Sequence, residues 1–245
     1  MPIVCNELLG RELLKIYQDT DCFNFSLDSM LLASFVKIGY KTKNICDLCS
    51  GNAPIPLYLS LRSKANIIGI EIQEHSYDLA IKSINENNLS DRIKMVNKDL
   101  KGISKEIGLH EYDIVTVNPP FFKIGTSNIN PNDRKAIARH EILATLDDIV
   151  KESSLLLKPK GRLAMVHRPD RLVEILEVFK KYKIEPKRLR FVYPKKNSEC
   201  NHILIEGLKD GDMGGLKVLS PLIVYNEDNT WTKEVLKIYN YEGVD

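Results

Sequence analysis

The chain has 245 residues, of which 43% are hydrophobic and 28% charged, enough to bury a globular core without disulfide or metal staples. Its 35 basic and 33 acidic residues nearly cancel, so net charge selects no partner. No apolar run approaches membrane-spanning length, the first seven residues lack a signal-peptide profile, and five cysteines without framework spacing suit a reducing, cytoplasmic compartment.

Residues 1–43 read as an N-terminal cap segment ahead of a strand at Asn44–Leu48. A polar turn, Ser50-Gly51-Asn52, leads into a helix over 55–61. Strand 65–71 ends on a carboxylate, and helix 74–87 sets Leu79, Ala80 and Ile84 on one face. Strands at 93–97 and 112–117 follow, then a helix over 149–157, a strand at 161–167 and a helix over 169–182 opened by Pro169. Strands 188–193 and 202–206 are expected to pair antiparallel. Alternation at this spacing predicts an α/β core over 44–207 with a mostly parallel, doubly wound sheet, and a tail over 208–245 packed on it. Cys46-x-x-Cys49 lacks the second ligand pair of a zinc site and is expected to pack as small apolar groups, so no metal is expected.

In such a sheet, ligands sit outside the carboxyl ends of the strands. Those ends carry Asp47, Glu71, Asp99 and Asn118. The turn at Gly51 allows close approach of a cofactor, but it lacks the glycine triplet that cradles a pyrophosphate, so a nucleoside without phosphates fits better. Glu71 is placed to accept from both ribose hydroxyls, and Asp99 from an adenine amino group.

Asn118-Pro119-Pro120-Phe121 follows the fourth strand. Two prolines stiffen the backbone and remove its N–H donors, leaving carbonyls to accept. The Asn118 amide oxygen and the Pro119 carbonyl can hold the two hydrogens of a conjugated NH2 group, which is a poor nucleophile until it is oriented. Phe121 offers a face for a planar target. Amide, DNA and RNA nitrogens all satisfy this pattern.

At these residues the chain resembles the class I methyltransferases with an [N/D/S]-P-P-[Y/F] motif, which implies a Rossmann-like, seven-stranded sheet with an antiparallel final strand and S-adenosylmethionine (SAM) as cofactor. The segment 23–33, Ala138-Arg139-His140-Glu141, Val166-His167-Arg168-Pro169 and the segment 190–196 extend the resemblance over most of the chain. Together they are similar to the tRNA1(Val) adenine-37 N6-methyltransferase family, in its low-GC Gram-positive and mycoplasma form. The resemblance implies that Asn118, Pro119, Pro120 and Phe121 hold the target adenine. It also implies a cofactor pocket formed by Asp28, Asp47, Ser50, Gly51, Asn52, Glu71, Ile72, Asp99, Leu100 and Asn118. Two departures are visible: Ala53 where glycine is usual, and Phe121 in place of the commoner tyrosine.

A tRNA partner requires a basic surface around its anticodon stem-loop. Between Lys158 and Lys196, thirteen Lys/Arg face four Asp/Glu. Candidate RNA contacts are Phe122, Lys123, Arg139, His140, Arg168, Lys187, Arg188, Arg190, Lys195 and Lys196, with the polar loop 123–135 as a substrate lid. His140 is assigned to loop order or RNA contact and His167 to a structural role, because N-methylation needs no obligate general base. A protein-glutamine methyltransferase presents the same amide hydrogens but usually carries an additional N-terminal recognition domain. A non-catalytic RNA-binding module would not need Asn118, and an oxidoreductase would need the missing phosphate turn.

Overall fold

A computed structural model describes residues 3–10, 14–19, 27–119, 121 and 144–242. Strands β1 (Ile3–Glu7) and β2 (Lys15–Asp19) form an antiparallel pair outside the main sheet. Then come α1 (Leu27–Phe35), β3 (Asn44–Leu48), α2 (Pro54–Arg62), β4 (Asn66–Glu71), α3 (Glu74–Glu86), β5 (Ile93–Asn97), the one-turn α4 (Ser104–Ile107) and β6 (Tyr112–Val117). The second half holds α5 (Leu146–Leu156), β7 (Leu157–His167), a 3-10 turn (Pro169–Arg171), α6 (Leu172–Lys181), β8 (Ile184–Tyr193) and β9 (His202–Lys209). Last are β10 (Lys217–Val218), β11 (Leu222–Ile223) and α7 (Lys233–Tyr239).

The main sheet runs β10-β8-β9-β7-β6-β3-β4-β5, with β11 also paired to β8. β9 is antiparallel to both neighbours and every other pairing is parallel. The seven expected strands are therefore present and two more join them. β10 and β11 are two residues each, too short for any periodicity to show. Buried parallel strands read as unbroken apolar runs because both faces are covered. One core layer packs α1, α2 and the β1–β2 pair on the sheet, and the other packs α4, α5 and α6. α5 starts at a capping box in which Thr145 and Asp148 exchange side-chain and backbone bonds, three residues earlier than the apolar spacing predicts.

From β3 the chain winds outward through β4 to β5, then crosses back to place β6 on the other side of β3. Strand order reverses there, which opens a crevice outside the carboxyl ends of β3 and β6. The turn at Gly51 and Asn118 flank that crevice. Among the described residues, no helix is long and apolar enough to cross a membrane.

Candidate active site

The turn between β3 and α2 alternates left-handed residues: Cys49 at φ 56°, Gly51 at φ 56° and Ala53 at φ 68°. Gly51 faces open space, since a Cβ added there would meet nothing within 4 Å. Its backbone N–H donates to Glu71 Oε2 at 2.8 Å, while Gln73 N–H donates to Oε1 at 2.8 Å. These bonds stiffen a carboxylate whose pKa burial pushes up. Each oxygen retains a further lone pair for a hydroxyl. Ala53 is wholly buried in the left-handed conformation that glycine adopts without strain, so the departure noted in the sequence carries a real backbone cost. Gly69 of β4 is needed for another reason: a Cβ there would lie 2.7 Å from Ser50 Oγ and 2.4 Å from Met95 Sδ.

Asp47 is brought to the turn but lies behind it. It is wholly buried, accepting from Ser50 Oγ at 2.7 Å and Thr116 Oγ1 at 2.6 Å. Burial raises its pKa to about 7. It shapes the turn from within, so direct contact with a cofactor is not its place. Asn52 is nearly buried and donates to the Tyr17 carbonyl at 2.8 Å, tying the turn to β2. At the end of β4, Ile72 is exposed, and at the end of β5 exposed Asp99 accepts from Lys101 N–H at 2.9 Å; Leu100 is buried in the core. The carboxyl groups of Glu71, Asp47 and Asp99 all lie near enough to Cys49 to add to the upward push that burial gives its thiol. Burial pushes the Cys46 and Cys49 thiols up, so both stay protonated and pack as apolar groups.

Asn118 ends β6 partly exposed, with Pro119 buried beside it. Its Nδ2 donates to Ser29 Oγ of α1 at 3.1 Å, which leaves Oδ1 without a donor among the described residues. The Phe121 ring lies against His167 and His202, at centroid distances of 5.4 and 5.5 Å. Asp28 sits 3.6 Å from His202 Nε2, so α1 reaches the same rim. Pro120, Phe122, Lys123, Arg139, His140 and the loop 123–135 lie outside the described residues.

The basic segment divides. Arg168 follows β7 and donates to Asp170 at 3.1 Å, while exposed Lys196 stands in the β8–β9 connection; both share the rim with Asn118. Lys187 bonds the carbonyls of Asp212 and Gly214. Arg188 stacks over Phe35 at 4.4 Å and pairs with buried Glu206 at 3.4 Å. Arg190 holds Ser220 O and Glu234, and Lys195 the Glu227 carbonyl. These four cations bind the protein's own helix α1 and tail, a correction to the reading of a continuous phosphate-tracking surface. Sequence reasoning missed Ser29 and Thr116. Thr116 left a signal, a hydroxyl inside an apolar strand that must find a partner; Ser29 left none.

Comparison with known proteins agrees with this geometry. The Methyltransferase small domain family model matches residues 26–192. The tRNA1(Val) (adenine(37)-N6)-methyltransferase of Porphyromonas gingivalis ATCC 33277 is 31% identical over 185 residues, 73% of this chain and 72% of its own. The protein of the same name in Parabacteroides distasonis is 25% identical over 78% of this chain and 79% of its own. A crystal structure described as a predicted O-methyltransferase of Agrobacterium tumefaciens superimposes with a TM-score of 0.70 at 21% identity, covering 88% of this chain and 96% of that one, which establishes the shared fold. With the crevice, the glycine turn and the Asn118 rim already in place, these matches show that the chain belongs to the Methyltransferase small domain family and, within it, to the tRNA1(Val) (adenine(37)-N6)-methyltransferases.

Proposed function

We propose that the protein transfers a methyl group from SAM to N6 of an adenine in tRNA, with adenosine 37 in the anticodon stem-loop of tRNA1(Val) as the target. The observation that carries this reading is the Asn118 amide, anchored through its nitrogen on Ser29, next to buried Pro119 and the Phe121 ring. When bound, SAM supplies an electrophilic methyl group on a sulfonium sulfur. The open face at Gly51 admits a nucleoside, and Glu71, fixed by two backbone donors, has lone pairs left for ribose hydroxyls.

The protein's own part is orientation. Asn118 Oδ1 and the Pro119 carbonyl accept the two amino hydrogens, which turns the nitrogen lone pair out of conjugation and toward the methyl carbon. Phe121 provides the stacking face for the extruded base. The proton lost from the methylated nitrogen passes to water. Arg168 and exposed Lys196, on the same rim as Asn118, are assigned to the phosphates of the stem-loop, and such a substrate would place the reaction in the cytoplasm.

Labelled SAM incubated with tRNA, protein or DNA from the same cell tests the reading. Label is expected in tRNA and should vanish from a transcript with guanosine at position 37; label only in protein would overturn it. Asn118→Ala should lower kcat by about a hundredfold or more while SAM affinity holds.

A further inference from the structure

The two imidazoles that flank Phe121 differ in one respect. His202 has Asp28 as its partner. His167, at the carboxyl end of β7, is wholly buried, and its Nδ1 accepts the backbone N–H of Arg168 at 2.8 Å. Nδ1 is therefore the unprotonated nitrogen. Burial lowers the ring's pKa to about 4, so at neutral pH the neutral tautomer carries its proton on Nε2. That Nε2–H has no acceptor among the described residues. The same tautomer removes His167 as a base, because neither nitrogen can take a proton from substrate.

A buried donor left unpaired carries its full desolvation penalty. Groups of this kind are informative in a native structure, and beside a binding rim the natural acceptor is a ligand. Nε2 is the ring nitrogen farthest from the main chain, and the neighbouring Phe121 ring is only partly covered. A base that stacks on Phe121 brings its edge to that neighbourhood. In adenine the amino group on C6 lies between two ring acceptors, N1 next to C6 on one side and N7, bonded to C5, on the other.

We propose that His167 is a specificity-determining residue whose Nε2–H donates to whichever of N1 and N7 faces it when the target adenine stacks on Phe121. This rests on the adenine-N6 reading above. Asn118 and Pro119 recognise an NH2 group, which many planar molecules carry. A donor beside them adds the demand for a ring acceptor, and a base that lacks one leaves the donor buried and unpaired.

The test uses tRNA transcripts with adenosine, 1-deazaadenosine or 7-deazaadenosine at the target position, methylated by wild type, His167→Phe and His167→Gln. Glutamine retains a terminal N–H near the Nε2 position. For adenosine, His167→Phe should lose about tenfold in kcat/KM and His167→Gln should recover most of it. For one of the two deaza substrates, wild type should lose about tenfold more than His167→Phe does, because the bond is already gone from the variant. Circular dichroism and SAM binding check that each variant is folded; His167→Met replaces the phenylalanine variant should that one fail. Equal losses on both analogues in wild type and the donor-less variant would overturn the proposal. So would a donor-less variant with wild-type kcat/KM. Should wild type itself leave the adenosine transcript unmethylated, the adenine reading falls, and this assignment with it.

Discussion

Asp47 is a carboxyl group with hydroxyl partners and, among the described residues, no cation, held wholly inside the turn it organises. Burial, with Glu71 nearby, lifts its pKa to about 7. The folded protein thus keeps a proton that an unfolded aspartate loses near pH 4. Between those values the folded state binds more protons, so this group's contribution to stability falls as pH rises and levels off above about 7. His167 has the opposite sign: its pKa lies below the ordinary histidine range, so its contribution is lost as pH falls from about 6.5 to about 4. Asp47→Asn removes the first slope and leaves the second. Thermal and denaturant unfolding of both proteins without SAM, from pH 5 to pH 8, should show wild type losing ground to Asp47→Asn by up to about 1.4 kcal/mol per pH unit until pH 7. A flat difference, or one in which wild type gains on Asp47→Asn as pH rises, would show that the carboxyl is ionised in the fold.

Strand β8 shows what a sequence can and cannot reveal about an element. Its antiparallel partner β9 and its basic character were legible, although the expected strand 188–193 covers only the last six of its ten residues. The destination of its cations was not, because their acceptors are mostly main-chain carbonyls of α1 and the tail, which every residue possesses. Composition alone cannot separate a cation aimed at phosphate from one aimed at a carbonyl. The same limit hid Ser29: a serine on an amphipathic helix gains meaning only once α1 is seen to lie beside Asn118. Arg188 separates the two roles by experiment. It donates to the Phe35 carbonyl at 2.9 Å and shares buried Glu206 with Arg162, which holds the other carboxylate oxygen at 2.8 Å, and with Lys37 N–H. Arg188→Met keeps some of the packing over Phe35 and leaves Glu206 partly paired. Its cost should be about 2–3 kcal/mol, below that of stranding a buried charge outright. Chemical denaturation should register that loss while tRNA affinity stays within about twofold. A tenfold fall in affinity at unchanged stability would return Arg188 to the RNA-binding surface.

At the scale of the whole molecule, the winding order sends the carboxyl ends of β3, β4, β6, β7 and β8 to one rim and brings the start of β9 back to it. That convergence was readable from alternating apolar runs, because burial of both sheet faces writes them plainly into the sequence. The strands of the tail were not readable, since pairs of residues carry no period. The rim gathers Asn118, Phe121, Arg168 and Lys196, whereas the chain as a whole carries a formal charge of only +2. Attraction for a polyanion must then come from local cations at the rim, and few of them are available once Lys187, Arg188, Arg190 and Lys195 are bound elsewhere. Lys196 is exposed, so its removal tests this economy of charge with little risk to the fold. Lys196→Ala should weaken tRNA binding and lower the slope of log K against log salt by about one, the signature of a lost phosphate contact. Because the side chain acts on docking and not on the amino group, kcat at saturating tRNA should be unchanged. An unaltered salt slope would move the docking surface away from the β8–β9 connection, to the opposite side of the rim.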